Sequence, residues 1–365
     1  MIYQSLIQPL LFSLDTEKAH GSVISLAKYA NERPALLQAV QALYQYKSPA
    51  LKQQIWGLNF ANPVGVAAGF DKNAQLLQLL EAIGFGHVEI GSVTNNPSPG
   101  NPSPRLFRLP KDHSLINRMG LNNDGAKTVI KRLVKHKTEI PVGVNIAKSN
   151  DQSIFGDKAI EDYLSSYKEA DKAASYITVN VSCPNTEEGR TFEDTSALTD
   201  LLDALNLKND ARLTPTLVKF SVDLKREELM KRVEICEDFS VSGYVVSNTS
   251  AERRNLRTSS DNLKAIGRGG LSGRAIASKS TQMIHWLYQE LQGKKPIFGV
   301  GGIDSADEAL NKLRAGADVI QLYTGMVYRG PGIVKEINKG IDEYLKTHQM
   351  SSIHQLREFD KVKAL

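Results

Sequence analysis

Eight short apolar runs dominate the sequence between residues 63 and 322, at 63–67, 88–90, 142–146, 177–181, 217–220, 244–246, 297–300 and 319–322. Segments of helical periodicity separate most of them, for example 74–83, 125–136 and 305–315. Strands that are apolar throughout need cover on both faces, and helical crossovers between them imply parallel pairing. Eight such units predict an α/β fold closed as a (β/α)8 TIM barrel, with an open doubly wound sheet as the alternative. Polar and glycine residues end nearly every run, and a barrel gathers all of those ends on one face.

The rest of the chain fits around that pattern. Leu6, Leu10 and Leu14, with Ile7 and Leu11, mark one apolar helical face, and a second periodic segment runs from His20 towards Leu43. Pro9 and Pro34 open or interrupt helices here. The expected division is a short helical extension over 1–50, a barrel over 51–345 and a polar tail over 346–365, frayed or mobile. Basic and acidic residues number 45 and 40, too even a balance to argue for a nucleic-acid partner. The two cysteines, Cys183 and Cys236, lack disulfide or zinc spacing, so no metal is expected and the compartment reads as reducing. No apolar run reaches the roughly 18 residues of a spanning helix. The first twenty residues lack the basic start and cleavage site of a secretory signal, so a cytoplasmic location is expected.

Residues at the run ends carry the chemistry. Gly301-Gly302 and Tyr323-Thr324-Gly325 follow the seventh and eighth runs, where barrels place phosphate groups and glycine lets backbone N–H groups approach an anion. A tight turn alone explains one such pair but not two. Lys219 inside the fifth run, and Lys72 after the first, are cations that need an anionic partner if buried. A reduced flavin supplies one near its N1. Asn117, Asn145, Asn180, Asn185 and Asn248 offer planar donor–acceptor pairs that match a cyclic imide or amide, although each alone could simply cap a turn. Cys183, in Asn-Val-Ser-Cys-Pro-Asn after the fourth run, is the candidate proton acceptor. Cys236 lies in a helical apolar pattern and reads as inert core.

In order, Ala68-Gly69-Phe70-Asp71-Lys72, Asn117-Arg118-Met119-Gly120-Leu121-Asn122-Asn123, the 180–185 stretch, Gly269-Gly270-Leu271-Ser272-Gly273 and Val300-Gly301-Gly302-Ile303 resemble the dihydroorotate dehydrogenases, over about residues 2–344. The resemblance implies an FMN enzyme that oxidises dihydroorotate to orotate in pyrimidine synthesis, moving the C6 hydride to flavin while a base takes the C5 proton. It implies that Ala68, Gly69, Lys72, Ser92, Asn145, Asn180, Lys219, Ser247, Gly273, Gly302, Tyr323 and Thr324 hold FMN. Lys72, Asn117, Asn180, Asn185, Asn248 and Thr249 would meet substrate, with the backbone of Arg118, Met119, Gly120 and Leu121. The N-terminal helices resemble those of the quinone-dependent class 2, peripheral on the cytoplasmic face of the membrane. His20, Arg108 and Tyr323 match positions along its quinone tunnel. Two departures stand out: class 2 normally carries serine where this chain has Cys183, the residue typical of soluble class 1, and 186–190 replaces a usual proline-containing loop. The competing readings are a class 1 enzyme using fumarate or NAD, helices that merely plug the barrel, and a non-catalytic FMN-binding protein. A tRNA dihydrouridine synthase would need a basic RNA-binding face that the sequence does not show.

Overall fold

The computed structural model describes residues 3–182, 192–207 and 214–357. Eight parallel strands form its centre: β1 (Val64–Val66), β2 (His87–Val93), β3 (Val142–Ile146), β4 (Tyr176–Asn180), β5 (Thr216–Phe220), β6 (Gly243–Val246), β7 (Ile297–Val300) and β8 (Val319–Leu322). They pair in sequence order, and β8 returns to β1 to close the barrel. The predicted class therefore holds, and each predicted run falls on a barrel strand. Helices such as Leu77–Ile83, Ala126–Lys135 and Ala306–Arg314 cover the outside with their buried apolar faces. Cys236 is fully buried on helix Arg226–Glu237, as its pattern implied.

The barrel floor is sealed by an antiparallel hairpin, Gln53–Ile55 with Leu58–Phe60. Its two turn residues, Trp56 and Gly57, both have positive φ, the geometry that matches hairpin twist. Trp56 stacks on Phe298 at 5.8 Å, and Phe60 meets His87 and Phe298 edge-on. Two register pairs make room for this aromatic layer: Gly65 lies opposite His87, and Gly143 opposite Tyr176. A Cβ built on Gly65 would lie 2.2 Å from the His87 ring, and one on Gly143 2.1 Å from the Tyr176 ring. Burial pushes the His87 imidazole down to about 3, so it is a neutral packing group at ordinary pH.

Three helices precede the barrel rather than the two the periodicity implied: α1 (Gln8–Ser13), α2 (Thr16–Asn31) and α3 (Pro34–Tyr44). Asp15 caps α2 by accepting from the Glu17 and Lys18 backbone N–H groups at 3.0 Å. Pro34 then starts α3 at a position where its missing N–H costs nothing. No helix among the described residues is long and apolar enough to cross a membrane. A second departure is a three-stranded antiparallel sheet beside the barrel mouth, Leu106–Leu109, Ser114–Asn117 and Gly270–Gly273. Asn117 ends one of these side strands, not a barrel strand.

The tail differs too. Helix Ile333–Thr347 runs past the expected boundary, and Met350, Ile353 and Leu356 are buried against the core. Arg357 pairs with Asp318 at 2.6 Å. Polar spacing hid three apolar anchors; through residue 357 the tail is packed structure.

The glycine–aromatic pairing yields a stability prediction. Gly65→Ala and Gly143→Ala should each destabilise the fold by about 1–3 kcal/mol, because an added methyl must displace a buried ring. Denaturant unfolding measures this, and wild-type midpoints in both variants would show that the floor has slack.

Candidate active site

The loop after β1 is set by Asp71. Its buried carboxylate accepts backbone N–H bonds from Asn73, Gln75 and Leu76, at 2.8–3.3 Å. That clamp turns Lys72 into the cavity above the barrel, where its ammonium donates to Asn122. Burial, reinforced by Arg105 and opposed by Glu17, lowers the Lys72 pKa to about 8.

Lys219 projects from the middle of β5 and is 5% exposed. Among the described residues no acceptor hydrogen-bonds its ammonium, and it faces the same cavity. Burial lowers its pKa while Glu89 opposes the shift. With Glu89 the one acidic group acting on it and no hydrogen-bond acceptor among the described residues, this buried cation is suited to a further anionic partner in the cavity.

Glu89 organises the interior. Its carboxylate accepts from Asn145 Nδ2 at 2.8 Å, Thr178 Oγ1 at 3.1 Å and Gln321 Nε2 at 2.9 Å. Asn145 in turn accepts from Ser92 Oγ at 2.5 Å, and Ser92 Oγ accepts from Asn180 Nδ2 at 3.3 Å. Asn180 Oδ1 accepts from Ser182 Oγ at 3.1 Å, and Asn248 Nδ2 donates to Ser182 Oγ at 3.0 Å. One connected polar chain thus runs from the barrel interior to the cavity wall.

The opposite wall is backbone. Gly273, Gly301 and Gly302 have φ of +93°, +124° and +77°, a region where a side chain would be strained. A Cβ on Gly302 would also strike Ala277 at 2.4 Å, at the start of helix Ala277–Leu291. Ser272 Oγ and Thr324 Oγ1 lie 2.9 Å apart beside them. The orphaned Lys219 ammonium and this close backbone cradle fit a planar anionic cofactor carrying a phosphate.

Most expected site residues meet on this cavity. Ala68, Gly69, Lys72, Ser92, Asn180, Lys219, Ser247, Gly273, Gly302, Tyr323 and Thr324 line it, as do Asn117, Met119, Gly120, Leu121, Asn248 and Thr249. Asn145 stands one layer behind, on Ser92. Arg118 is expected to act through its backbone, and its side chain accordingly points elsewhere, donating to Ile266 O and Arg268 O and covering the Phe107 ring. Cys183, Asn185 and the 186–190 stretch lie outside the described residues. Sequence reasoning passed over Glu89, Gln321, Ser182 and Asn122. The signal for the first two was present: a carboxylate in His-Val-Glu-Ile and an amide in Val-Ile-Gln-Leu are out of place in apolar strands unless they face each other. Among the described residues no cluster of metal ligands occurs.

A second, mostly apolar cavity lies between the barrel rim and α1–α3. His20, Val23, Leu26 and Val40 line it from the helices, Arg108 from the side sheet and Met326 from beyond β8. Burial, then the Lys72 charge, brings His20 down to about 4, so it is neutral at ordinary pH. Arg108 donates to Thr16 Oγ1, Leu11 O and Leu14 O at 2.6–3.2 Å, holding the helices to the barrel. Glu17 adds a second tie, accepting from Arg105 Nε at 2.7 Å, while the same guanidinium donates to Pro99 O and Asn101 O. Leu106, Leu115 and Tyr323 line both cavities and are their common wall. Burial raises the Tyr323 phenol to about 12.

Comparison with known proteins places this architecture. A family model described as Dihydroorotate dehydrogenase matches residues 50–345. The chain is 39% identical to "Dihydroorotate dehydrogenase (quinone)" of Trichodesmium erythraeum, covering 97% of both chains. It is 41% identical to the protein of the same name in Roseiflexus castenholzii, over 99% of this chain and 97% of that one. Among solved structures, ligand-free type DHODH from Eimeria tenella superposes with a TM-score of 0.83 at 32% identity, over 95% of this chain and 99% of that one. The same protein in complex with ferulenol gives 0.82 at 31%, over 94% of each. On fold, length and sequence together, the chain belongs to the dihydroorotate dehydrogenase family.

Proposed function

We propose that this chain oxidises dihydroorotate to orotate with FMN as its flavin and a membrane quinone as electron acceptor. The observation that carries the reading is the pair of cavities sharing the Leu106, Leu115 and Tyr323 wall, one polar and cationic, the other apolar and opening among the N-terminal helices. Relatives named for quinone match almost the whole chain, extension included, which favours quinone over fumarate or NAD. When bound, FMN supplies the two-electron redox chemistry that joins the two half-reactions.

The residues divide the work. Gly273, Gly302 and Thr324 would hold the phosphate, and Lys219 the anionic edge of the flavin ring. Lys72, with Asn117, Asn180, Asn248 and Thr249, would bind the carboxylate and the ring amides of the substrate, Asn185 completing the set. Cys183 would receive the C5 proton. His20, Arg108 and Tyr323 would line the quinone path. Leu6, Leu10, Leu26 and Leu43 are 70%, 67%, 69% and 61% exposed on the helices around the second cavity. Such a face fits shallow docking in a lipid surface, and the reading places that docking on the cytoplasmic side of the membrane.

Three measurements test the reading. Purified protein should be yellow, release FMN on denaturation, and turn over dihydroorotate faster with quinone than with fumarate or NAD. A colourless protein that cannot be reconstituted with FMN contradicts the flavin assignment, and preference for a soluble oxidant contradicts the quinone assignment.

The second concerns Lys72. Its pKa near 8 in the free protein must rise when an anionic carboxylate binds, so orotate affinity should be level below that pH. Between pH 8 and 9 it should weaken by up to about tenfold per unit, as one proton becomes obligatory for binding. Lys72→Met should bind orotate more weakly and lose this slope; an unchanged slope assigns the titration elsewhere.

For Cys183, single-turnover flavin reduction should slow by about 10²–10⁴-fold in Cys183→Ala, with FMN content intact. Cys183→Ser should keep more activity with an optimum moved to higher pH. An alanine enzyme as fast as wild type at every pH would remove Cys183 from the proton path.

A further inference from the structure

Lys312, on helix Ala306–Arg314, is fully buried, which is rare for a lysine and costly without an anion. Its ammonium donates to Ala277 O at 3.2 Å, Ser280 Oγ at 3.1 Å and Thr281 Oγ1 at 3.0 Å, all neutral acceptors. Among the described residues no carboxylate forms an ion pair with it. Burial lowers its pKa to about 7, with Glu308 opposing. Two hydrogen-bonded helices could be joined as well by an apolar contact, so packing alone does not account for a charge here.

The position of that charge does. Ala277 is the residue against which Gly302 packs without room for a Cβ. Ser280 Oγ donates to Val300 O at 2.6 Å, and the same carbonyl accepts from Ser247 N at 2.9 Å. Two of the three residues that accept hydrogen bonds from Lys312, Ala277 and Ser280, therefore touch the 300–302 backbone that lines the polar cavity.

We propose that Lys312 is a positioning residue for phosphate recognition: from behind the Gly301-Gly302 cradle it fixes the cradle through Ser280 and Ala277, and its ammonium form adds positive charge there. The site thereby prefers a phosphorylated flavin to its unphosphorylated form. The proposal rests on the flavin reading above and adds a residue that never touches the ligand.

The test compares FMN with riboflavin. Flavin is removed reversibly from the full-length holoprotein, and wild type, Lys312→Met and Ser280→Ala are titrated with each. Lys312→Met should weaken FMN binding about tenfold or more while leaving riboflavin affinity within about twofold, the worth of one charge-assisted interaction. Should this variant not fold, Ser280→Ala carries the test, with a smaller loss confined to FMN. Equal losses for both flavins, or no loss for either, would overturn the proposal by making Lys312 a packing residue. Failure of wild type to bind any flavin would instead overturn the flavin reading, so the two failures are distinct.

Discussion

The architecture depends on one buried carboxylate. Glu89 sits wholly inside the barrel and accepts hydrogen bonds from side chains on β3, β4 and β8 while projecting from β2. An ionised group in such a place is tolerated only if donors replace the water it has lost. Three donors from three strands do so, which ties the closure of the barrel to the satisfaction of a charge. Lys219 on β5 faces that charge across the interior. The groups that line the polar cavity are the far end of this arrangement. Asn145 orients Ser92, Ser92 orients Asn180, and Asn180 with Ser182 orients Asn248. Held in rotamers fixed by neighbours, such groups are ready before ligand arrives.

The rim is where the chain adds what the barrel lacks. The side sheet of Leu106–Leu109, Ser114–Asn117 and Gly270–Gly273 extends the mouth and supplies Asn117 and Gly273 to one cavity. The same strands supply Arg108 to the other. The N-terminal helices gain only part of the packing energy that their apolar residues could give, because many of these remain exposed. Ile24, Ala27, Leu37 and Val40 pack against the core, and polar ties add to this: Arg108 to α1–α2, Glu17 to Arg105, and Tyr3 Oη donating to Val327 O at 2.7 Å. A cavity roofed this way can stay apolar without the helices collapsing onto the barrel.

Periodicity made the barrel legible because parallel strands covered on both faces have no polar alternation to confuse them. The cradle and Lys219 were legible because glycine pairs and a mid-strand lysine have few other reasons to stand where they do. The side sheet was not: Leu106–Leu109 and Ser114–Asn117 are short, pair outside the barrel and alternate weakly. Glu89 escaped notice because a single carboxylate in an apolar run reads as an outlier until its donors on other strands are known. In the tail, Met350, Ile353 and Leu356 bury at a spacing too sparse to register as a face. Nor does any local pattern reveal that Arg118 turns outward or that Asn145 stands behind Ser92.

The Glu17–Arg105 pair has a meaning beyond anchorage. Glu17 belongs to a helix of the exposed apolar extension, while Arg105 grips Pro99 and Asn101. Asn101 Nδ2 in turn donates to Arg118 O at 2.9 Å, in the segment that runs on to the cavity wall. Both charges also act on Lys72, Arg105 depressing its proton affinity and Glu17 restoring it. The helices of the extension are thus wired, through Glu17, Arg105 and Asn101, to the segment that lines the polar cavity.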